Sequence, residues 1–355
     1  MLSATIALHW SAMNKFNLQA VYGLARAHFP GEDHFTIPLP VEIAEGVTLE
    51  NVSNLISPHC FDGFRAGIGT YATDRLEGVR HALIHRYEPT FMFDEEKKEV
   101  ITEGMQDHAS KQRVTINRAL LRLIRPTREE AQSMHGNVRH DGSLDVMGFD
   151  HPAHISEVPE NQKLFSVRNE DVETLIVLAP SFLKAMRGDY WEIRMAAQFH
   201  DLGHYQNYDP RARYLLWMSA IEGLYTSVAE QGSKLAKARI SWFLGENTSI
   251  YPRGELHDLI KEPNIKIGDI LDDLYLMRNC ISHGDRLDNR YFAVKRNDLT
   301  GGLPLFGVLT EAASFIIRHS LLKILREGLM DHFTSPAESA AYFAANRLSK
   351  TDIYP

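Results

Sequence analysis

Asp269-Ile-Leu-Asp-Asp-Leu-Tyr-Leu-Met-Arg-Asn-Cys-Ile-Ser-His-Gly284 is the stretch on which the reading of this chain turns. On a helix at about 100° per residue, Ile270, Leu274, Met277 and Ile281 align as one apolar stripe that must face a core. Arg278 falls about 60° from that stripe, so its stem is partly buried beside it. Asn279 and His283 form an i,i+4 pair on another face, while Arg278 and His283, five apart, flank one edge of the helix. Gly284 suits the left-handed position just past a helix end, which places His283 in the last turn. There the negative end of the helix dipole favours a protonated imidazole.

A helix with such a stripe needs neighbours to cover it, and the surrounding sequence supplies them. Val172, Leu175, Ile176, Ala179 and Leu183 open an amphipathic segment with Asn169 as N-cap and Glu170, Asp171 and Glu173 in its first turn. Trp191–Phe199 continues after Gly188. Pro210 marks another start, followed by a stripe of Leu215, Trp217, Met218, Ile221, Leu224 and Val228. Ser233–Leu244 stops at Gly245, Ile265–Ser282 stops at Gly284, and Phe306–Leu329 and Pro336–Leu348 complete a helical bundle. Before residue 165 the texture differs. Turn residues such as Pro30-Gly31, Pro58, Pro89, Gly136 and Gly142 recur between short apolar runs, and Phe35–Ile43, Ala82–Phe93 and Leu144–Phe149 read as strands. Glu95–Lys98 reads as a charged hairpin connection, and Ile116–Ile124 as a short helix stopped by Pro126. The expected fold class is α+β: a β-rich mixed domain over residues 1–165 and an α-helical bundle over residues 170–355.

Composition agrees with two folded domains in 355 residues: 44% of residues are hydrophobic and 24% charged, which excludes a disordered or fibrous chain. With 38 Lys+Arg against 46 Asp+Glu the net charge is −8, so a cationic coat for duplex DNA is disfavoured, although a local basic cleft is not. Two cysteines, Cys60 and Cys280, make neither a disulfide framework nor a four-cysteine zinc site. The N-terminus has no cationic n-region, and no stretch approaches ~18 uninterrupted apolar residues, so the expectation is a cytoplasmic protein with no membrane partner.

The Asp269–Gly284 helix carries the parts of a metal-free ribonuclease. A histidine titrating near neutrality can move the proton of a ribose 2′-OH or of a leaving oxygen. A permanently charged guanidinium can grip phosphate and the charge that develops on it, and Asn279 can donate a further hydrogen bond. Arg278-Asn279-x-x-x-His283 resembles the R-N-x3-H signature of HEPN domains, small helical bundles of prokaryotic defence and toxin systems. The context is similar to the Apea-like branch, with Leu215–Leu224 standing for its ALEAL-type helix and Ser233–Arg239 with Trp242–Gly245 for the next. The resemblance covers roughly residues 170–330. It implies a cofactor-free endoribonuclease that leaves a 2′,3′-cyclic phosphate and pairs two motifs across a homodimer, with a role in antiphage defence or abortive infection. Arg278 and His283 would be catalytic and Asn279 supporting. A second reading is a non-catalytic dimerisation or RNA-binding module, as in relatives with degenerate motifs. Glu222, in the apolar stripe of its helix, needs a cationic partner for which Arg278 is the candidate, unless it is a solvent-edge residue. Arg286 and Arg290, with Lys295 and Arg296, either extend an RNA track or sit in an ordinary solvated loop with Asp285, Asp288 and Asp298. The first domain is expected to recognise a trigger, substrate or partner.

Phe199-His200-Asp201-Leu202-Gly203-His204 supports a third, weaker reading, because it resembles the H-D-x-G-H string of HD-type metal phosphohydrolases, in which adjacent His and Asp hold a metal that activates water. His151 and His154 lie in a Pro-rich segment rather than on an earlier helix, and Asp258 and Asp272 lack supporting context as the later ligand. The plain alternative is an i,i+4 surface pair of histidines near a helix end. His81 and His85 share a strand face by period 2, and His135, His140, His151 and His154 lack zinc spacing. Gly67-Ile-Gly69 reads as a turn rather than a dinucleotide loop.

Overall fold

The computed structural model describes residues 14–21, 36–56, 60–68, 70–89, 91–94, 99–102, 104–125, 133–150, 167–204, 209–227, 230, 232–250, 265–287, 289–292 and 304–354. They pack as two units. The described residues of the first fall within 1–121, 129–159 and 166–180, and those of the second within 122–128 and 181–355.

The first unit is built on a six-stranded antiparallel sheet of order β2-β3-β4-β1-β7-β8, with strands at Asn14–Val21 (β1), Val41–Ala44 (β2), Val47–Asn51 (β3), His81–Tyr87 (β4), Ser133–Val138 (β7) and Leu144–Asp150 (β8). Phe91–Asp94 (β5) and Glu99–Thr102 (β6) form a separate hairpin, so the Ala82–Phe93 run expected as one strand serves two sheets. The first expected strand shrinks to Val41–Ala44. Residues 95–98, read as the hairpin connection, lie outside the described residues, although Asp94 and Glu99 pair across them.

Period-2 patterning explains the central strand. Phe16, Leu18 and Ala20 of β1 join Ala82 and Ile84 of β4, Met134 of β7 and Val146 of β8 in an apolar core, with Leu76 of helix α1 (Thr70–Glu77) packed on it. The alternate residues Asn17 and Gln19 are buried on the opposite face, where Asn17 Nδ2 donates to the Asp107 carbonyl at 3.4 Å. Helix α2 spans Gly104–Ile124, far longer than the Ile116–Ile124 segment expected. Its N-terminal half is too polar to show an apolar stripe because it faces this polar side of the sheet. Lys15 and Tyr87 bond Asp107, and His85 Nδ1 lies 2.9 Å from Ser110 Oγ. Arg113 Nη1 donates to His85 Nε2 at 3.0 Å, so Nδ1 carries the ring proton toward Ser110. That polarity leaves Ser110 unactivated as a nucleophile. Burial and the Arg113 charge push the His85 pKa down.

Helices α3 (Asn169–Arg187), α4 (Trp191–His204), α5 (Pro210–Tyr225), α6 (Ser233–Ile240), α7 (Ile267–Ser282), α8 (Leu305–Arg326) and α9 (Pro336–Ala345) follow, so the mixed α+β reading holds at that level. Asn169 starts α3, but its Oδ1 accepts from the Thr36 backbone N–H at 3.0 Å, and Asp171 performs the local cap through Arg168 N–H at 2.8 Å. In the second unit α5 is the hub. Trp217 Nε1 donates to the His200 carbonyl of α4 at 3.0 Å, Tyr214 Oη to the Leu274 carbonyl of α7 at 2.6 Å, and Tyr225 Oη lies 2.6 Å from Ser320 Oγ of α8. The aromatic ends of α5 thus fix three neighbours at set heights. Helix α8 is long and apolar enough to cross a bilayer by composition, yet it is mostly buried and its Ser314, Arg318 and Ser320 bond within this unit. Arg239 of α6 is fully buried because every face of its guanidinium is used: by the carbonyls of Leu348 and Tyr225 at 3.0 Å and by Glu230 at 2.7 Å. After Ile240 the expected helix to Leu244 widens into a π-turn, Ser241–Gly245.

Candidate functional site

Helix α7 presents its predicted stripe to the core: Ile270, Leu274 and Met277 are buried and Ile281 is half-buried. The helix ends as its sequence requires. His283 is the C-cap (φ −89°, ψ 0°) and donates its N–H to the Asn279 carbonyl at 3.0 Å. Gly284 adopts φ +72°, and Asp285 N–H reaches back to the Cys280 carbonyl at 2.9 Å, the wrap-around bond of a helix terminated by a left-handed glycine. The His283 side chain is exposed at this end, as is Arg286 just beyond. Arg290 lies in the short helix Asn289–Phe292 with its side chain outside the description, and Lys295 and Arg296 fall outside the described residues.

Arg278 does not point freely into solvent. Its Nη2 donates to Glu222 Oε2 of α5 at 3.0 Å and its Nη1 to Asn279 Oδ1 at 3.2 Å. The candidate partnership between Glu222 and Arg278 is therefore present. Both side chains are about one-third exposed, so the pair adds little stability but fixes where the guanidinium sits. With Asn279 oxygen committed to Arg278, its amide N–H groups remain as outward donors. Neither Arg278 nor His283 is sealed in hydrocarbon.

Arg278, Asn279 and Glu222 line one side of a cavity of about 680 Å³, whose other walls are α4, the start of α6 and Pro336 of α9. Two further residues of this cavity, Glu192 of α4 and Tyr275 of α7, were not anticipated as site residues. Glu192 is 1% exposed, and among the described residues neither its carboxylate oxygens nor the Tyr275 hydroxyl has a hydrogen-bond partner. Burial lifts the Glu192 carboxyl from its ordinary 4.5 to about 7. Its own backbone N–H and the nearby Ser339 hydroxyl oppose that rise without reaching hydrogen-bond geometry. Burial, with Glu222 second, pushes the Tyr275 phenol up as well. In sequence Glu192 looks like a first-turn acid facing water, and only the return of the chain at Pro336 and Ser339 encloses it. Tyr275 lies beside Leu274, outside the apolar stripe that the periodicity picks out, yet it is buried.

The His200–His204 string is differently employed. His200 is 1% exposed, which corrects the surface-pair alternative. Its Nε2 lies 3.0 Å from Ser314 Oγ and its ring stacks on Trp217. Burial, then the Arg318 and Arg122 charges, drive its pKa well below the usual histidine range. Asp201 bonds Arg122 at 2.9 Å. The ring nitrogen and carboxylate that an HD-type site would give to a metal are already committed, and among the described residues no three His, Cys, Asp or Glu side chains gather as a metal cluster. His151 and His154 lie outside the described residues, and His81 and His85 are buried strand residues. No protein-family profile, curated protein or solved structure matches this chain.

Proposed function

We propose that this chain is a metal-independent endoribonuclease of the HEPN type that works as a homodimer, with its first unit recognising a trigger or partner. The observation that carries the reading is the arrangement on α7: a guanidinium held one-third exposed by Glu222 and Asn279, on the turn before an exposed histidine at the helix C-cap. Two such motifs, one from each copy, supply the groups the chemistry needs. The ribose 2′-oxygen attacks phosphorus and the 5′-oxygen leaves, giving a 2′,3′-cyclic phosphate and a 5′-hydroxyl. His283 takes the 2′-OH proton or protonates the departing oxygen, with the second copy's motif supplying the complementary transfer. Arg278 balances the charge gathering on the phosphoryl oxygens, and Glu222 keeps it in place through that change. Arg286, exposed just past the helix end, is positioned to continue along the RNA backbone.

Single substitutions Arg278→Ala and His283→Ala test this directly. Each is expected to abolish cleavage of tRNA and mRNA substrates, with EDTA without effect on the parent protein and circular dichroism and sedimentation unchanged. RNA binding without cleavage, unaltered by His283→Ala, selects the non-catalytic module instead. Cleavage at the parent rate by the double variant refutes the assignment.

A further inference from the structure

The cavity beside Arg278 carries more than a phosphate grip requires. At about 680 Å³ it is in the size range of small-molecule sites and large enough for a nucleoside. Trp191, Met195 and Phe199 give it an apolar, partly aromatic wall, and Trp191 is half-exposed. Against that wall stand two buried groups with unmet hydrogen-bonding capacity, the Glu192 carboxyl and the Tyr275 hydroxyl. Buried polar groups are nearly always paired, and a pair of orphans lining one cavity is the pattern left by a site whose complement is a ligand. The required complement is an edge that donates to a carboxylate and accepts from, or donates to, a phenol. It must also be a flat body that tolerates an aromatic wall, with an anionic substituent reaching Arg278 at the rim.

We infer that this cavity is a nucleobase subsite selective for guanine, placed so that the nucleotide's phosphate lies on Arg278. Among the four bases guanine alone offers two adjacent N–H donors, N1–H and the N2 amino group, which match the two oxygens of a carboxylate side by side. Its O6 supplies the acceptor for a phenol. Adenine and cytosine offer an amine beside a bare ring nitrogen, and uracil offers a single N–H between two carbonyls, so each leaves one Glu192 oxygen unmatched or opposed. The Glu192 and Tyr275 oxygens have almost no exposed surface, so a side-chain rotation in the wall is required to open them to a base edge. The phosphate end of this inference rests on the nuclease reading, and the base end stands on the cavity.

The test is equilibrium binding of GMP, AMP, CMP, UMP and guanosine to the full chain at pH 8, followed by tryptophan fluorescence and calorimetry. GMP is expected to bind at least about tenfold more tightly than the other nucleotides, and Glu192→Gln to erase that preference, the loss anticipated for bonds to a charged group. Tyr275→Phe should weaken GMP several-fold. Arg278→Ala should weaken all four nucleotides and leave guanosine unchanged. Circular dichroism of each variant checks its folding, and the Trp191→Ala variant gives an independent loss of base binding that touches neither polar group. Absence of binding by any probe at about 1 mM, or a GMP preference indifferent to both Glu192→Gln and Tyr275→Phe, overturns the inference. Guanosine binding by a protein that cleaves no RNA preserves the subsite while removing the nuclease reading. RNA cleavage with no guanine binding does the reverse.

Discussion

Glu192→Gln changes one oxygen for an amide nitrogen and leaves volume almost untouched, which isolates the cost of a buried charge. The folded protein holds the Glu192 proton up to about pH 7, whereas the unfolded chain releases it near 4.5. Between those values the folded state binds more protons than the unfolded state, so stability is fully present below pH 4.5 and is lost as pH rises through 7. The gap from 4.5 to about 7 corresponds to at most ~3.5 kcal/mol at about 1.4 kcal/mol per decade. Reorganisation of the polar groups around the charge offsets part of this, and about 2 kcal/mol is the expected net effect. Glutamine carries none of this dependence. Its own unpaired amide imposes a penalty, but one that is the same at every pH. The quantity to measure is therefore the change with pH of the stability difference between the two proteins. Urea unfolding followed by tryptophan fluorescence should show the glutamine variant gaining about 2 kcal/mol on the parent between pH 5 and pH 8. In melting temperature this is on the order of 4–8 °C for a unit of this size. A difference that stays flat with pH, or that moves against glutamine as pH rises, refutes the assignment of Glu192 as a buried acid without a partner.

Other outcomes follow from particular contacts. Glu222→Gln removes the charge that holds Arg278 while keeping a hydrogen-bonding shape, and should reduce RNA cleavage tenfold or more through the catalytic constant with little change in KM, whereas wild-type-like cleavage by Glu222→Gln or by Glu222→Ala would contradict a positioning role. Gly203→Ala places a methyl inside the Trp217 indole, a backbone-to-ring approach that allows no side chain, and should destabilise the helical unit by about 2 kcal/mol or more in denaturant melts. His319 is held neutral, its pKa pushed down to about 3 by burial and then by Arg318 and Arg326. Because the unfolded chain takes up that proton first, the stability it contributes above pH 6.5 is lost on acidification. His319→Gln should lose about 2 kcal/mol less than the parent between pH 7 and pH 5, the opposite trend to Glu192→Gln, and titration of both variants in parallel tells the two effects apart.

The helical half is written in periodicity. Positions 270, 274 and 277 of α7 announce their burial because a single stripe has one place to go, and Gly284 announces the helix end because only a left-handed residue closes that turn. The sheet half hides more of itself. The N-terminal half of α2 meets a polar sheet face through Asp107, Ser110 and Arg113, so it carries no apolar repeat to read, and the segment looks like loop until His85 and Tyr87 are placed opposite it. Likewise the run from Ala82 to Phe93 is continuous in hydrophobicity, yet it divides where the chain leaves one sheet for a separate hairpin, a choice made by pairing partners far away in sequence.

The site shows the same split between local and distant causes, and this bears on how strongly each part supports a function. Arg278, Asn279 and His283 lie within six consecutive residues at the end of one helix, so their spacing follows from helix geometry alone, and Glu222 could be matched to Arg278 because a carboxylate on a buried stripe demands a cation. The histidine string at His200–His204 looks equally chemical in one dimension. Its nitrogen and carboxylate are spent on Ser314 and Arg122, groups about 114 and 79 residues away, and burial makes the cluster a structural core. Glu192 is the inverse case: unremarkable as a first-turn acid, it is buried in the fold, where Pro336 lines the same cavity and Ser339 stands near its carboxylate, both more than a hundred residues downstream. A motif gains functional weight when tertiary structure leaves its polar atoms uncommitted, and loses it when the same structure supplies their partners. By that criterion the open donors of Arg278 and Asn279, with the unpaired groups of Glu192 and Tyr275 in the same cavity, carry the functional reading, and the histidine pair of α4 does not.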